Sequence, residues 1–74
     1  MTQKTLDLRG LKCPLPALRT RKALNGMQPG DLLTVECTDP LARIDIANLV
    51  RETGDALEEI HEADKIMTFR ISKR

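Results

Sequence analysis

Aromatic residues are almost missing from this chain. Phe69 is alone, without Trp or Tyr. Modules that bind single-stranded nucleic acid stack bases on exposed rings, and this chain has no rings to give to that task. An excess of one charge is missing too. Twelve Lys and Arg against eleven Asp and Glu leave a formal charge of +1. That balance provides no polycationic surface, so nucleic acid ranks last among partners. No apolar run approaches the about 20 residues of a membrane helix, and no signal-peptide pattern opens the chain. The expectation is a soluble cytoplasmic protein with no membrane partner. Histidine is scarce: His61 stands alone and reads as a surface side chain on a strand. One His and two distant cysteines make no zinc pattern, so no metal site is expected and no cofactor is called for. Repeats, low-complexity tracts and linkers are absent. Seventy-four residues predict a single domain over 1–74, which buries roughly 60% of its unfolded surface.

What is present centres on Cys13. It lies in the run Gly10-Leu11-Lys12-Cys13-Pro14-Leu15-Pro16. Proline fixes φ and has no N–H, so two prolines here suit the first turn of a helix. Ala17, Leu18, Arg19, Thr20, Arg21, Lys22, Ala23 and Leu24 then continue as good helix formers. Thr5-Leu6-Asp7-Leu8 alternates like a strand. The pattern predicts strand, short Gly10 turn, Cys13 at or near the N-cap, then helix. A thiol there is within reach of a partner. The helix N-terminus and the nearby cations Arg9, Lys12, Arg19, Arg21 and Lys22 predict a lowered thiol pKa. With Pro14 at N1 and Pro16 at N3, only the amides of Leu15 and Cys13 remain to meet the sulfur.

Six elements are read along the chain. A strand covers about Thr5 to Leu8 and a helix about Pro14 to Asn25, with Gly26 as its C′ residue. Gln28-Pro29-Gly30-Asp31 is a turn. The second strand is Leu32 to Cys37, with Leu33, Val35 and Cys37 on one face. Asp39 is predicted as N-cap and Pro40 as N1 of a second helix, which ends near Thr53 at Gly54. Its apolar stripe is Ala42, Ile46, Leu49, Val50 and Thr53. Two strands close the chain, about Ala56 to His61 and Ile66 to Ile71, joined by Glu62-Ala63-Asp64-Lys65. The order β-α-β-α-β-β predicts an α/β two-layer sandwich. Its four-stranded sheet is mixed and carries both helices on one face. The other face is left bare.

Individual side chains divide into chemical and structural candidates. Cys37 alternates with Leu33 and Val35 and is expected in the core, its other possible role being a resolving thiol for Cys13. The five cations around Cys13 are either solvated surface or a docking site for an acidic partner. Asp39 is most simply a helix cap. Asp45 is an exposed helix residue, with partner contact as the sharper reading.

These residues form a wider pattern. Leu6-Asp7-x-Arg9-Gly10-Leu11-Lys12-Cys13-Pro14-x-Pro16, Arg21-Lys22-Ala23, Met27-x-Pro29-Gly30 and Thr38-Asp39-Pro40 with Asp45-Ile46 closely resemble the TusA/SirA-like sulfur-carrier family. The resemblance runs from about Thr5 to Ile71. It implies a two-layer α/β fold and one cysteine, here Cys13, that carries sulfur as a persulfide. Pro14 and Pro16 fall on the motif prolines, and Arg21 and Asp39 in segments near the partner surface. It implies a cysteine desulfurase or rhodanese-like donor and a downstream acceptor protein, in the best-known branch towards 2-thiouridine in tRNA. In that branch a proline soon follows the Asp-Ile pair, whereas here Asp45-Ile46-Ala47-Asn48 continues the helix. Such a protein is a sulfurtransferase-type carrier rather than a stand-alone catalyst. Two other functions compete: a thiol redox sensor using Cys13 with or without Cys37, and an interaction module using the bare sheet face.

Overall fold

The computed structural model describes residues 2–74. The order is β1 (Gln3–Leu8), α1 (Leu15–Asn25), β2 (Leu32–Cys37), α2 (Ala42–Thr53), β3 (Ala56–Ala63) and β4 (Ile66–Ser72). The strands form one mixed sheet in the order β1-β2-β4-β3. β1 runs parallel to β2, and β4 is antiparallel to both β2 and β3. The two-layer α/β expectation holds.

Alternation explains the layering. Leu33, Val35 and Cys37 on β2 and Met67, Phe69 and Ile71 on β4 are all buried. They face Leu24 of α1 and Ala42, Ile46 and Val50 of α2 in one core cluster. Both helices therefore cover the same sheet face. The opposite face carries Thr5, Thr34, Thr68, Arg70 and Glu59, all of them half-buried or exposed. α1 contributes Pro16, Thr20 and Leu24 to the interior. Thr20 is tolerated there because its hydroxyl donates to the Pro16 carbonyl at 2.7 Å, satisfying a buried polar group within the helix.

Several boundaries differ from the sequence reading. β3 and β4 both run further, and their connection shrinks to Asp64-Lys65. These two residues have φ of 51° and 65°, the left-handed pair that a two-residue hairpin turn needs. α1 stops at Gly26, whose φ is −92°, so the helix does not close on a left-handed glycine. Its end is tightened instead by Gly26 N–H donating to Ala23 and Met27 N–H to Leu24, as helix ends often do. α2 does end on a left-handed residue, Gly54 at φ 81°. Among the described residues, no helix is long and apolar enough to cross a membrane.

Candidate functional site

β1 and β2 are parallel and in register, with Leu8 beside Cys37. Both chains therefore leave the sheet at the same end, and the loops that follow lie side by side. The first loop turns immediately. Gly10 adopts φ +84°, a conformation that suits glycine, and its N–H donates to Thr38 Oγ1 at 2.9 Å. The Cys13 N–H donates to Asp39 Oδ2 at 2.6 Å. The loop carrying the thiol is thus tied twice to the loop that precedes α2.

Asp39 is not the N-cap of α2. The helix begins at Ala42 behind Leu41, without a side-chain cap. The Asp39 carbonyl accepts from Ala42 N–H, and its Oδ1 accepts from Leu41 N–H at 3.1 Å. Its other oxygen is engaged by Cys13. The residue holds two loops together, and the amides of Cys13 and Leu41 keep its carboxyl below the usual range.

Cys13 is exposed and free. Its peptide bond to Pro14 is cis. Pro14 occupies the N-cap of α1, one position earlier than the sequence suggested, and Pro16 lies in the first turn. The S–H donates to Asp45 Oδ2 at 2.7 Å, across 32 positions of sequence. The expected fall in thiol pKa is overturned: the value is raised. The largest cause is the hydrogen bond to Asp45, followed by desolvation and the charges of Asp45 and Asp39. The amides nearest the sulfur at the helix start do little to offset this. The Leu15 N–H is taken by the Lys12 carbonyl at 2.9 Å, Pro16 has no N–H, and the Cys13 N–H is taken by Asp39.

The cations do not gather on the sulfur as the sequence suggested. Arg9 is bound to Asp7, with Nε and Nη2 at 2.8 and 2.9 Å from the two carboxylate oxygens. That pair holds the Asp7 carboxyl at about 2. Arg21 does reach the groove beside Cys13, where it pairs with Glu52 at 2.9 Å. Arg19 and Lys22 line a different groove, with Lys4 and Leu6 against β1. Lys12 lies beside Asp39 next to Gly10 and Pro40. The groove at the sulfur, of about 220 Å³, is lined by Pro14, by Ala17 and Leu18 of α1 and by Asp45, Asn48 and Leu49 of α2. Leu18 on this groove is 55% exposed, and Leu15, Leu41 and Ile44, at the starts of the two helices, are exposed as well.

Cys37 lies in the core with no exposure, and burial pushes its thiol up to about 11. Its sulfur is therefore closed to solvent and held as a neutral thiol. His61 is exposed on β3. The sequence reading placed Asp45 on an exposed helix surface. It is half-buried and, among the described residues, is the one side chain bonded to the thiol. The signal that could have located it is topological: helices following two parallel strands begin at the same end of the sheet, so their first turns meet.

Comparison with known proteins bears on the family and the fold. The family model described as sulfurtransferase TusA matches residues 4–73. A Neisseria meningitidis serogroup A protein named as a candidate sulfur carrier is 46% identical, over the full length of both chains. The sulfur carrier protein TusA of Allochromatium vinosum is 43% identical, over 92% of this chain and 90% of its own. The fold matches the crystal structure of a SirA-like protein from Desulfitobacterium hafniense, with a TM-score of 0.81 and 24% identity. That match covers 93% of this chain and 95% of the other. With matches of this extent on both sequence and fold, the chain belongs to the TusA family of sulfur carriers.

Proposed function

We propose that Cys13 is the carrier residue and that it holds sulfur as a persulfide. The observation that carries this reading is an exposed thiol beside a groove, with the chain's other thiol sealed in the core. In the exchange, the Cys13 sulfur attacks the terminal sulfur of a donor persulfide. A new S–S bond forms, the donor's S–S bond breaks, and the electron pair leaves with the donor thiolate. Cys13–S–SH results, and no oxidant or reductant is consumed. An acceptor thiol repeats the attack on the carried sulfur. The donor is a cysteine desulfurase or a rhodanese-like protein. The acceptor belongs to a sulfur-transfer pathway of the kind that thiolates tRNA, and the exchange takes place in the cytoplasm.

The residues near the sulfur suit docking to such proteins. Leu18 presents apolar surface on the thiol's groove, Leu15, Leu41 and Ile44 extend it from the starts of the two helices, and Arg21, Asp39 and Asp45 give the contact polarity. Lys12 lies at its margin. Arg9, Arg19 and Lys22 act at longer range, through charge. Pro14 and Pro16 stiffen the start of α1, and Gly10 permits the turn into it. The test is incubation with a cysteine desulfurase and cysteine, followed by intact mass. Wild type gains one or more sulfur atoms and Cys13→Ser gains none. Loading that survives Cys13→Ser, or that is blocked only by Cys37→Ser, would falsify the assignment.

A further inference from the structure

A carrier must do opposite things with one sulfur: keep it when empty and present it when loaded. The contact at the base of the groove distinguishes these states by charge. An empty Cys13 is a neutral thiol with one proton to donate, and Asp45 Oδ2 accepts it at 2.7 Å. A persulfide is more acidic than the thiol from which it is built. The loaded sulfur therefore loses its proton more readily, and with it the only hydrogen bond it could donate to Asp45.

We infer that Asp45 is a positioning residue that grips the empty carrier and rejects the loaded one, turning the persulfide anion out of the groove towards its acceptor. This rests on Cys13 being the carrier. The groups around the contact leave Asp45 as the charge bonded to the sulfur, with Asp39 a second, weaker one. From the thiol's own loop comes Lys12, which bears on Asp39. From α1 comes Arg21, already paired with Glu52 of α2. From the loop before α2 comes Asp39, whose oxygens are taken by the amides of Cys13 and Leu41. During loading, the Cys13 proton passes to the adjacent Asp45 carboxylate as the S–S bond forms. From there it passes to the departing donor thiolate, and Asp45 is again an anion beside a neutral Cys13–S–SH. The persulfide then releases its own proton to water, and Asp45 faces a second anion; like charges held this close repel.

Asp45→Asn keeps the shape and removes the charge, whereas Asp45→Glu restores the charge. The first measurement is the pH profile of Cys13 alkylation by iodoacetamide on the empty protein, followed by mass. Asp45→Asn moves the midpoint to lower pH and speeds alkylation at neutral pH several-fold, and Asp45→Glu returns it towards wild type. The second compares alkylation of the loaded and empty forms at neutral pH. The ratio of loaded to empty rate is highest in wild type and falls in Asp45→Asn. An Asn variant with the wild-type midpoint, or a ratio unchanged by the substitution, overturns the inference. A wild-type protein that does not load with a desulfurase overturns the carrier reading instead. That result comes from a separate sample, because the pH profile needs no sulfur donor.

Discussion

The two cysteines of this chain show how far position alone separates identical side chains. Cys13 is solvated and bonded to a carboxylate, while Cys37 is closed in among Leu33, Val35 and Phe69. Native alkylation should therefore label Cys13 long before Cys37, as read by peptide mass. Comparable rates would show that Cys37 is reachable and would revive its role as a resolving thiol. Burial of Cys37 also has a pH signature. Burial pushes its thiol up to about 11 in the folded protein, against an ordinary value of 9.0. The unfolded chain thus releases its proton first, and stability falls as pH rises from about 9 towards about 11. Cys37→Ala should unfold more easily at neutral pH because of the cavity, yet lose less further stability across that alkaline range. Parallel slopes for the two proteins would show that Cys37 contributes nothing there. Both cysteines were legible in the sequence, one from its prolines and one from its alternation with apolar neighbours. The direction of the Cys13 pKa was not. It depends on Asp45, which is distant in sequence, and on which first-turn amides are already engaged.

Elements, in this fold, were easier to read than the joints between them. Periodicity located all four strands and both helices, because each buries one face against the same core. The joints were misread where a side chain had two possible partners. Asp39 has the sequence signature of a helix cap before Pro40, but its carboxylate is drawn across to the Cys13 amide. Asp39→Ala should remove both that bond and the one from Leu41, lowering stability by about 1–2 kcal/mol. It should also slow sulfur loading by letting the thiol loop wander. Asp39→Asn, which keeps one acceptor oxygen, should recover part of both. Urea unfolding and a loading time course measure the two effects. An Ala variant with wild-type stability and loading would mean that Gly10–Thr38 alone fixes the loop. At the far end of α2, Gly54 sits at φ 81° with open space where a Cβ would project. Gly54→Ala should therefore cost about 1 kcal/mol by conformation alone. A loss several times larger in the same urea experiment would point to a steric clash instead.

At the scale of the whole molecule, the cations Arg19 and Lys22 and the apolar Leu18 lie on different sides of α1. Arg19 and Lys22 line the groove against β1 with Lys4, whereas Leu18 lines the groove at the sulfur. The sequence placed Arg19 and Lys22 near Cys13, since a helix drawn as a line does not show which way each side chain faces. The separation predicts two kinds of defect. Arg19→Glu with Lys22→Glu turns the formal net charge from +1 to −3. The charges of both side chains lie at the surface, so the melting temperature should stay near wild type. Loading by a desulfurase should slow at low salt and approach the wild-type rate at high salt, because only long-range attraction has changed. Leu18→Ser with Ile44→Ser should also leave the melt nearly intact, since these side chains are 55% and 60% exposed. Its loading should be slow at every salt concentration, because the lost contact is apolar and short-range. If the charge variant stays slow at high salt while the apolar variant loads normally, the donor docks against β1 and not over the sulfur groove.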